Sequence, residues 1–348
     1  MNVLDVQEIE RWTTEVLTRN GLRESDSRWV AKTLTFAEIR GVGTHGLMRL
    51  PVYVERIRNG GINRNATFGV EADLGALVIM NADDGPGAAS GVYGADLAVE
   101  RARRHGIGCA IAHSANHFGI SAFYTNRIAD AGLIGIAICN TESVMCAPFG
   151  GRPVLGTNPL AVAPPLPGDI RPQLDMATTT TSQGKLLMAE RAGQSIPLGW
   201  AVDSNGRPTE SASDGLAGAL LPSGGAKGFG IAFAIDAILA ISGANVSPEV
   251  GPLQGDPSRP QRLGQGFFAL RTDGAGSLDD YRRKIAALVD AIHRSGFAGQ
   301  ESSPLAPGEP ELARSRQANG RIRLGDDLMK DLAELANRVD LPLPMSVD

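Results

Sequence analysis

The run RGVGTHGLMRLPVYVERIRNGG occupies residues 40–61 and decides which class of fold the sequence predicts. Its first part, Gly41 to Gly46, satisfies the G-x-G-x-x-G pattern of a dinucleotide-binding turn, which works only between a strand and a helix. Here apolar residues recur at helical spacing up to Ile39, so the run follows a helix. The sequence therefore predicts a fold other than Rossmann. No GxxxxGK[ST] run occurs either, so the sequence contains no P-loop.

Helical periodicity surrounds this run at both ends of the chain. Further helices are predicted between residues 4 and 40, over 47–58, and over the tail at 326–339. The middle of the chain mixes predicted strands (76–80, 109–113, 133–139, 159–164) with predicted helices (87–104, 120–130, 185–193, 228–242) and predicted loops (246–265, 298–311). We therefore expect an α+β fold of mixed α/β texture. Residues 1–70 with 310–348 would form a helical domain, and residues 71–309 a mixed domain.

The composition excludes several classes of function. The 348 residues carry a formal net charge of −5 and no block of Lys and Arg, so we predict no nucleic-acid partner. The longest apolar stretch, residues 230–244, is interrupted by Asp236 and is too short to span a bilayer. The amino terminus lacks an apolar signal core, and three cysteines without CxxC spacing indicate buried thiols. We therefore expect a cytoplasmic protein with no membrane association.

Polar side chains inside the opening run indicate chemistry. His45 lies between two glycines, with Thr44 beside it and Arg49 four residues further on, about one helical turn away. Histidine can lose and regain a proton near neutral pH, as carbonyl reduction and alcohol oxidation require. Arginine can hold a carboxylate through two parallel hydrogen bonds. The alternative is a histidine that satisfies the loop backbone and an arginine on the surface, and local spacing favours neither.

A second polar cluster, HSANHFG, occupies residues 113–119 between a predicted strand and a predicted helix. Polar turns at such positions often bind ligands. In the alternative interpretation Ser114 or Asn116 caps the helix and the histidines are incidental. His113 and His117 are four residues apart, but no HExxH run exists and a predicted turn separates them. The sequence therefore predicts no metal site.

Three further runs combine glycine with polar side chains. Residues 156–159, GTNP, permit unusual backbone angles and offer Thr and Asn side chains to a ribose or an amide. Asp175 ends a short apolar run before four threonines, where it could orient a histidine, or the run could be an edge strand leading into a capped helix. Lys227 opens a glycine-rich helix start, where it could bind an anion, or the glycines could serve close packing with the lysine in solvent.

Taken in order, these runs resemble the type-2 malate/L-lactate dehydrogenase family, which includes ureidoglycolate, sulfolactate and diketogulonate enzymes and cyclic-imine carboxylate reductases. The similar stretches are RGVGTHGLMRLPVYVERIRNGGI (40–62), HSANHFGISAFY (113–124), GTNPLAVAPP (156–165), LDMATT (174–179), GKLLMAERAGQSIPLGWAVDSNGRPT (184–209), PSGGAKGFGIAFAIDAIL (222–239) and PGE (307–309). The resemblance implies a non-Rossmann fold in which a central, mostly antiparallel sheet binds NAD or NADP. It also implies a helical domain from both chain ends, an active site between the two domains, and a homodimer.

The resemblance also assigns roles to particular residues. His45 matches the proton donor and acceptor, Asp175 the acid that relays to or orients it, and Arg49 the group that holds the substrate carboxylate. Thr44 stands where the family usually has Ser, and His117 matches a histidine near the nicotinamide and the substrate. Cofactor contacts are implied for His117, Met176, Ala177, Thr178, Lys227, Gly308 and Glu309. Ala226 departs from the bulky aromatic residue that the family commonly places before the lysine.

The predicted function is hydride transfer between NAD or NADP and the 2-carbon of a small 2-hydroxy or 2-oxo acid. Two alternatives stay open at this point. The first is reduction of a cyclic-imine carboxylate, which differs only in presenting C=N in place of C=O. The second is a nucleotide-binding sensor without catalysis, which would have no need of a positioned proton donor.

Overall fold

A computed structural model describes residues 2–297 and 303–347 of the chain. The helices are α1 (Val6–Arg19), α2 (Glu24–Ile39), α3 (Leu50–Asn59), α4 (Gly87–His105), α5 (Ala122–Asp130), α6 (Gln183–Arg191), α7 (Ala212–Ala217), α8 (Ala226–Leu239), α9 (Leu278–His293), α10 (Glu309–Ala318) and α11 (Asp326–Arg338). The strands are β1 (Asn2–Asp5), β2 (Gly69–Asp73), β3 (Leu77–Asn81), β4 (Ile107–Ala115), β5 (Ile134–Cys139), β6 (Met145–Cys146), β7 (Pro153–Leu155), β8 (Leu160–Ala163), β9 (Leu174–Met176), β10 (Ala201–Val202), β11 (Pro208–Thr209), β12 (Ala219–Leu220), β13 (Leu263–Leu270) and β14 (Arg321–Leu324).

A seven-stranded sheet forms the centre of the molecule, in the order β2-β3-β4-β13-β5-β8-β9. Its neighbouring strands pair antiparallel, except that β3 and β4 are parallel. This arrangement confirms the α+β class and the mostly antiparallel, non-Rossmann sheet. A smaller sheet, in the order β11-β10-β12-β6-β7, lies outside it.

Helices cover both faces of the central sheet. Alternate residues of a strand point to opposite faces, and here Ala110 and Ala137 belong to the hydrophobic cluster formed with α4 and α5. Their neighbours Ile111 and Ile138 pack instead against Ile235 of α8. Small residues let α4 lie close to the sheet: a Cβ on Gly94 would come within 2.6 Å of the Phe267 ring. The central sheet is therefore buried between two helical layers.

The two ends of the chain share a separate hydrophobic core. Strand β1 pairs antiparallel with β14, and apolar residues of α1, α2, α3 and α11 pack together. Ala88 and Leu253, from the middle of the chain, join the same cluster. This packing supports the predicted division at residues 70 and 310, although the division itself stays a prediction. Helix α3 ends at Gly60, whose φ of +88° suits glycine and explains the predicted stop.

Two predicted loops contain regular structure. Residues 246–265 include the start of β13, which lies in the middle of the sheet, so the loop prediction is wrong from Leu263 onward. The predicted loop 298–311 is wrong from Glu309, where α10 begins, while residues 298–302 lie outside the described residues. Over residues 2–297 and 303–347, no helix is long and apolar enough to cross a membrane.

Candidate active site

The loop between α2 and α3 presents His45 and Arg49. Two short 3-10 turns, Gly43–His45 and Leu47–Arg49, follow one another directly before α3. Main-chain hydrogen bonds tie them together, with the His45 N–H donating to the Val42 carbonyl and the Arg49 N–H to the Gly46 carbonyl. The residue spacing thus places imidazole and guanidinium in one short, internally bonded segment.

Glu38 lies beneath this loop and was not singled out by the sequence. Its Oε1 accepts a hydrogen bond from the Leu47 N–H at 2.7 Å. Burial raises the pKa of Glu38 to about 7, and the Leu47 N–H acts in the opposite direction. A Cβ on Gly46 would lie 2.1 Å from the same oxygen. The glycine is therefore required by the close approach of a carboxyl group.

The His45 ring is uncharged at neutral pH. Its Nδ1 lies 3.0 Å from the Thr44 hydroxyl, and its ring stacks on that of His117 at 5.7 Å between centroids. Burial, and to a smaller extent the charge of Arg49, lowers the pKa of His45 to about 3. The ring keeps part of its surface open to solvent. A neutral imidazole that a ligand can reach is suited to accept a proton.

Arg49 is buried, so the alternative of a surface arginine is wrong. Only 8% of the residue is exposed, and its Nε donates to the Thr44 carbonyl at 2.7 Å. Its Nη2 lies 3.3 Å from the position that a Cβ on Gly184, in the first turn of α6, would take. Within residues 2–297 and 303–347 neither terminal nitrogen of Arg49 makes a hydrogen bond. These nitrogens are available to a substrate carboxylate.

His117 stands on the other side of the His45 ring. Its Nδ1 lies 2.5 Å from the Tyr53 hydroxyl and accepts from the Gly119 N–H at 3.3 Å. Its own N–H donates to Gln261 Oε1 at 2.9 Å. His113, by contrast, binds Glu71 at 2.9 Å, so the two histidines of the HSANH run serve different places. No group of three or more potential metal ligands occurs in the part of the chain that the structure describes.

Asn116 does not cap a helix, as one alternative had it. Its side-chain amide donates to the carbonyls of Asp84 and Gly85. Helix α5 begins after Ser121, whose side chain makes no capping hydrogen bond. The segment before α5 is thus held by long-range contacts, and these contacts place His117.

Asp175 lies at the end of the sheet, on β9. Its Oδ2 accepts from the Ala122 N–H at 2.7 Å. The surrounding protein raises the pKa of Asp175 to about 7, while the Ala122 N–H and the nearby Arg40 lower it. The side chain nevertheless stays exposed to solvent. No hydrogen bond joins Asp175 to His45 among the described residues, so the predicted relay stays a prediction.

Three of the glycine-rich and hydroxyl-rich runs meet at Thr178. Its N–H and hydroxyl both donate to the Thr157 carbonyl, and its carbonyl accepts from the Ser223 N–H. A Cβ on Gly228 would lie 2.5 Å from that carbonyl. Gly228 of α8 therefore serves close packing, whereas nothing lies within 4 Å of the Cβ positions of Gly225 and Gly230. Lys227 is exposed at the start of α8, and Met176 and Ala177 lead from β9 to Thr178.

The other predicted cofactor contacts lie beside β9. A Cβ on Gly308 would come 2.7 Å from the Gln173 carbonyl. The Glu309 carboxylate is already bonded to His293 Nε2 at 2.8 Å and to the Ala306 N–H. Gln173 itself accepts from Arg40 at 2.7 Å and donates to the Ala122 carbonyl. The segment that contains Gly308 is thereby tied to the strand that carries Asp175.

The described residues fit a nicotinamide dinucleotide. Helix α8 begins with Lys227 in solvent after two glycines with φ of +61° and +62°, a setting suited to a phosphate group. The threonine run offers hydroxyls, and Thr181 Oγ1 is buried without a partner in the described residues. The two stacked imidazoles of His45 and His117 lie beside a buried guanidinium. The fold is non-Rossmann, and it groups two neutral imidazoles with a buried guanidinium, side chains of the kinds that exchange a proton and bind an anion.

Comparison with known proteins gives the family. A family model described as malate/L-lactate dehydrogenase matches residues 4–333. L-sulfolactate dehydrogenase of Methanocaldococcus jannaschii is 33% identical over 97% of this chain and 98% of its own length. A solved structure of sulfolactate dehydrogenase from that organism has a TM-score of 0.90 at 32% identity and covers 98% of each chain. The chain belongs to the malate/L-lactate dehydrogenase family, which confirms the resemblance.

Two further relatives differ in the cofactor that their names carry. Ureidoglycolate dehydrogenase (NAD(+)) of Escherichia coli O157:H7 is 33% identical over 91% of this chain and 90% of its own length. The (2R)-3-sulfolactate dehydrogenase (NADP(+)) of Chromohalobacter salexigens is 30% identical over 96% of this chain and 98% of its own length. Members of this family with similar identity to the chain thus use either dinucleotide.

Proposed function

We propose that the chain transfers a hydride between NAD or NADP and the 2-carbon of a small 2-hydroxy or 2-oxo acid. The observation that carries the proposal is the grouping of two neutral, stacked imidazoles, His45 and His117, with the buried Arg49. Dehydrogenation needs a group that takes the hydroxyl proton and a group that fixes the carboxylate. This grouping supplies both.

The residues divide the work as follows. Arg49 holds the carboxylate through its terminal nitrogens, beside the first turn of α6. His45 takes the hydroxyl proton in oxidation and returns a proton to the oxygen in reduction, with Thr44 at its Nδ1. Hydride acceptance and donation would be the chemistry that NAD or NADP supplies when bound. Met176, Ala177, Thr178, Lys227, Gly308 and Glu309 would contact the cofactor, Glu309 through its main chain because its carboxylate is engaged by His293.

A substrate panel tests the proposal. The purified protein is mixed with NADH or NADPH and with 2-oxo acids or cyclic-imine carboxylates, and cofactor absorbance is followed. We expect oxidation of the cofactor with at least one 2-oxo acid. Turnover with cyclic imines alone would assign the chain as an imine reductase. Tight cofactor binding with no turnover across the panel would favour the sensor and refute the proposal.

We also propose that the protein is a homodimer. Helix α8 buries Ala232, Ile235 and Leu239 on one side, yet Phe233 is 62% exposed and Ile241, just after the helix, is 59% exposed. Exposed apolar side chains grouped on one helix are typical of an interface. We expect light scattering to give the mass of two chains, and Phe233→Glu to give one chain. A wild-type protein with the mass of one chain would refute this.

We further propose a cytoplasmic location, which the cysteines support. Cys139 and Cys146 are buried, Cys109 is partly buried, and all three are free thiols. Free thiols persist in reducing compartments. Cell fractionation with an antibody to the protein would test the assignment.

A further inference from the structure

Two donors face the same nitrogen of His117. The Gly119 N–H donates to Nδ1 at 3.3 Å, and the Tyr53 hydroxyl lies 2.5 Å from the same atom. A ring nitrogen that accepts from an N–H carries no proton itself. In a neutral histidine the proton must then be on Nε2. The main-chain contact alone thus selects the tautomer, and the Tyr53 hydroxyl, as the second donor, reinforces it.

Both partners keep the protonation states that this arrangement requires. Burial lowers the pKa of His117 well below its ordinary value, and the charges of His45, Arg49 and Arg56 act in the same direction. Burial raises the pKa of the Tyr53 hydroxyl, so the phenol remains protonated and can donate. At neutral pH the pair therefore consists of a neutral phenol and a neutral imidazole.

The main chain that carries His117 is held in position as well. Its main-chain N–H donates to Gln261, and the carbonyl of the preceding Asn116 accepts from Gln265 at 3.0 Å. Tyr53 is buried on α3, eight residues after His45 and four after Arg49. Nε2 of His117 makes no hydrogen bond to any residue within 2–297 or 303–347. The one polar atom of the ring left without a protein partner is thus a donor.

We propose that Tyr53 is a positioning residue that fixes His117 as a neutral Nε2–H donor to the substrate oxygen, so that His45 alone exchanges the proton. The proposal rests on the dehydrogenase function proposed above. It gives different roles to the stacked imidazoles of His45 and His117, whose roles in proton exchange the sequence alone does not distinguish. His117 stabilises charge on the oxygen through a hydrogen bond, and His45 completes the proton transfer.

Nitrogen-15 NMR of the full-length protein, labelled at histidine, tests the tautomer directly. We expect His117 to show one neutral form, with the proton on Nε2, throughout the region around pH 6.5 where a free imidazole titrates. In Tyr53→Phe the Nδ1 resonance should move toward that of a nitrogen without a strong donor. Titration of His117 near pH 6.5, a proton on Nδ1, or an unmoved resonance in Tyr53→Phe would each overturn the proposal.

Kinetics supply a second readout and a matched control. Tyr53→Phe should lower kcat by about 10-fold, which corresponds to one lost hydrogen bond in the transition state, and should leave the KM for the cofactor unchanged. Tyr93→Phe removes a hydroxyl from a ring that packs on Phe68 and should keep wild-type kcat. Equal kcat in both variants would overturn the proposal. A wild-type protein with the NMR signature but no turnover would instead refute the dehydrogenase function alone.

Discussion

Glu38 and Asp175 are two carboxyl groups whose pKa the surrounding protein raises to about 7, yet their settings differ. Glu38 lies under the catalytic loop and holds the Leu47 N–H, with its side chain largely covered. Asp175 holds the Ala122 N–H but remains exposed to solvent on the edge of the sheet. A raised pKa is therefore shared by Glu38, which shapes the loop, and by Asp175, which a ligand can reach.

The comparison also shows how the two carboxyls relate to His45. The Glu38 carboxyl supports the loop by accepting a hydrogen bond from the main-chain N–H of Leu47. Asp175 is linked to the site through residues 117–122, because Ala122 donates to it while a Cβ on Gly119 would lie 4.0 Å from the His45 carbonyl. A direct contact between Asp175 and His45 would need a rearrangement of the side chains on ligand binding. Mutations can separate these roles.

The largest expected effect is that of replacing His45, the proposed acid-base group. His45→Ala should lower turnover by about 10²–10⁴-fold, because it removes the acid-base group. Cofactor binding, measured by NADH fluorescence, should be nearly unchanged, since the cofactor contacts lie elsewhere. His105→Ala, on the surface at the end of α4, is the control. Wild-type turnover in His45→Ala would remove this residue from the mechanism.

Asp175→Asn should distinguish the exposed carboxyl from the covered one. If Asp175 orients or charges His45, turnover should fall by roughly 10²-fold, the lower end of what acid-base groups contribute. Glu38→Gln should retain most of the activity, because the amide oxygen can still accept from the Leu47 N–H. Steady-state kcat for both variants on one substrate decides the matter. A lower kcat in Glu38→Gln than in Asp175→Asn would show that Glu38, and not Asp175, acts on His45.

Local periodicity predicted most of the helices that the structure describes but only a minority of its strands, and its failures have physical causes. Helices such as α1 and α4 follow the spacing of apolar residues. Strand β13 was missed because Gly264 and Gly266 interrupt its pattern, although these glycines are required by packing: a Cβ on Gly266 would lie 2.8 Å from Ile138. Such a requirement comes from residues distant in sequence, so no local pattern reveals it.

The candidate site was predicted in part for the same reason. His45 and Arg49 are four residues apart in sequence, and their grouping could be predicted from that spacing. Tyr53 was missed, although it continues the same interval of four residues along the segment that leads into α3. Glu38 carries no such signal, because its role depends on how the loop returns over α2. Contacts between polar residues that only the tertiary structure brings together cannot be predicted from local sequence.

The covered position of Glu38 predicts a steric effect at Gly46. Gly46→Ala would place a Cβ 2.1 Å from Glu38 Oε1, so either the carboxyl or the loop must move. We expect the free energy of unfolding to fall by about 1–3 kcal/mol in denaturant titrations. Gly69→Ala is the matched control, because nothing lies within 4 Å of its Cβ position. Equal stability of the two variants would mean that the carboxyl does not occupy this space.

The smallest effect is the pH dependence of stability, and its sign follows from the raised pKa. A carboxyl that binds its proton more tightly in the folded protein than in the unfolded chain stabilises the fold most at low pH. The contribution of such a carboxyl to the free energy of unfolding should therefore fall as pH rises from about 4.5 to about 7 and level off above that. The lowered pKa values of His45 and His117 act in the opposite direction below about pH 6.5, so the carboxyl contribution is read from the difference between variant and wild type. One such group contributes at most about 1.4 kcal/mol per pH unit in this window, and less where solvent reaches it.

Glu38→Gln and Asp175→Asn should remove such carboxyl contributions to different degrees. The amide at position 38 is neutral at every pH, so the variant loses the contribution of the covered carboxyl. Asp175 titrates in the same window, but solvent around its side chain screens the effect of burial, so Asp175→Asn should change the slope less. Glu55→Gln, on the exposed side of α3, should keep the wild-type slope. Asp175→Asn could instead change the pH dependence of the free energy of unfolding more than Glu38→Gln does. In that case Asp175 would be the covered carboxyl and Glu38 the exposed one.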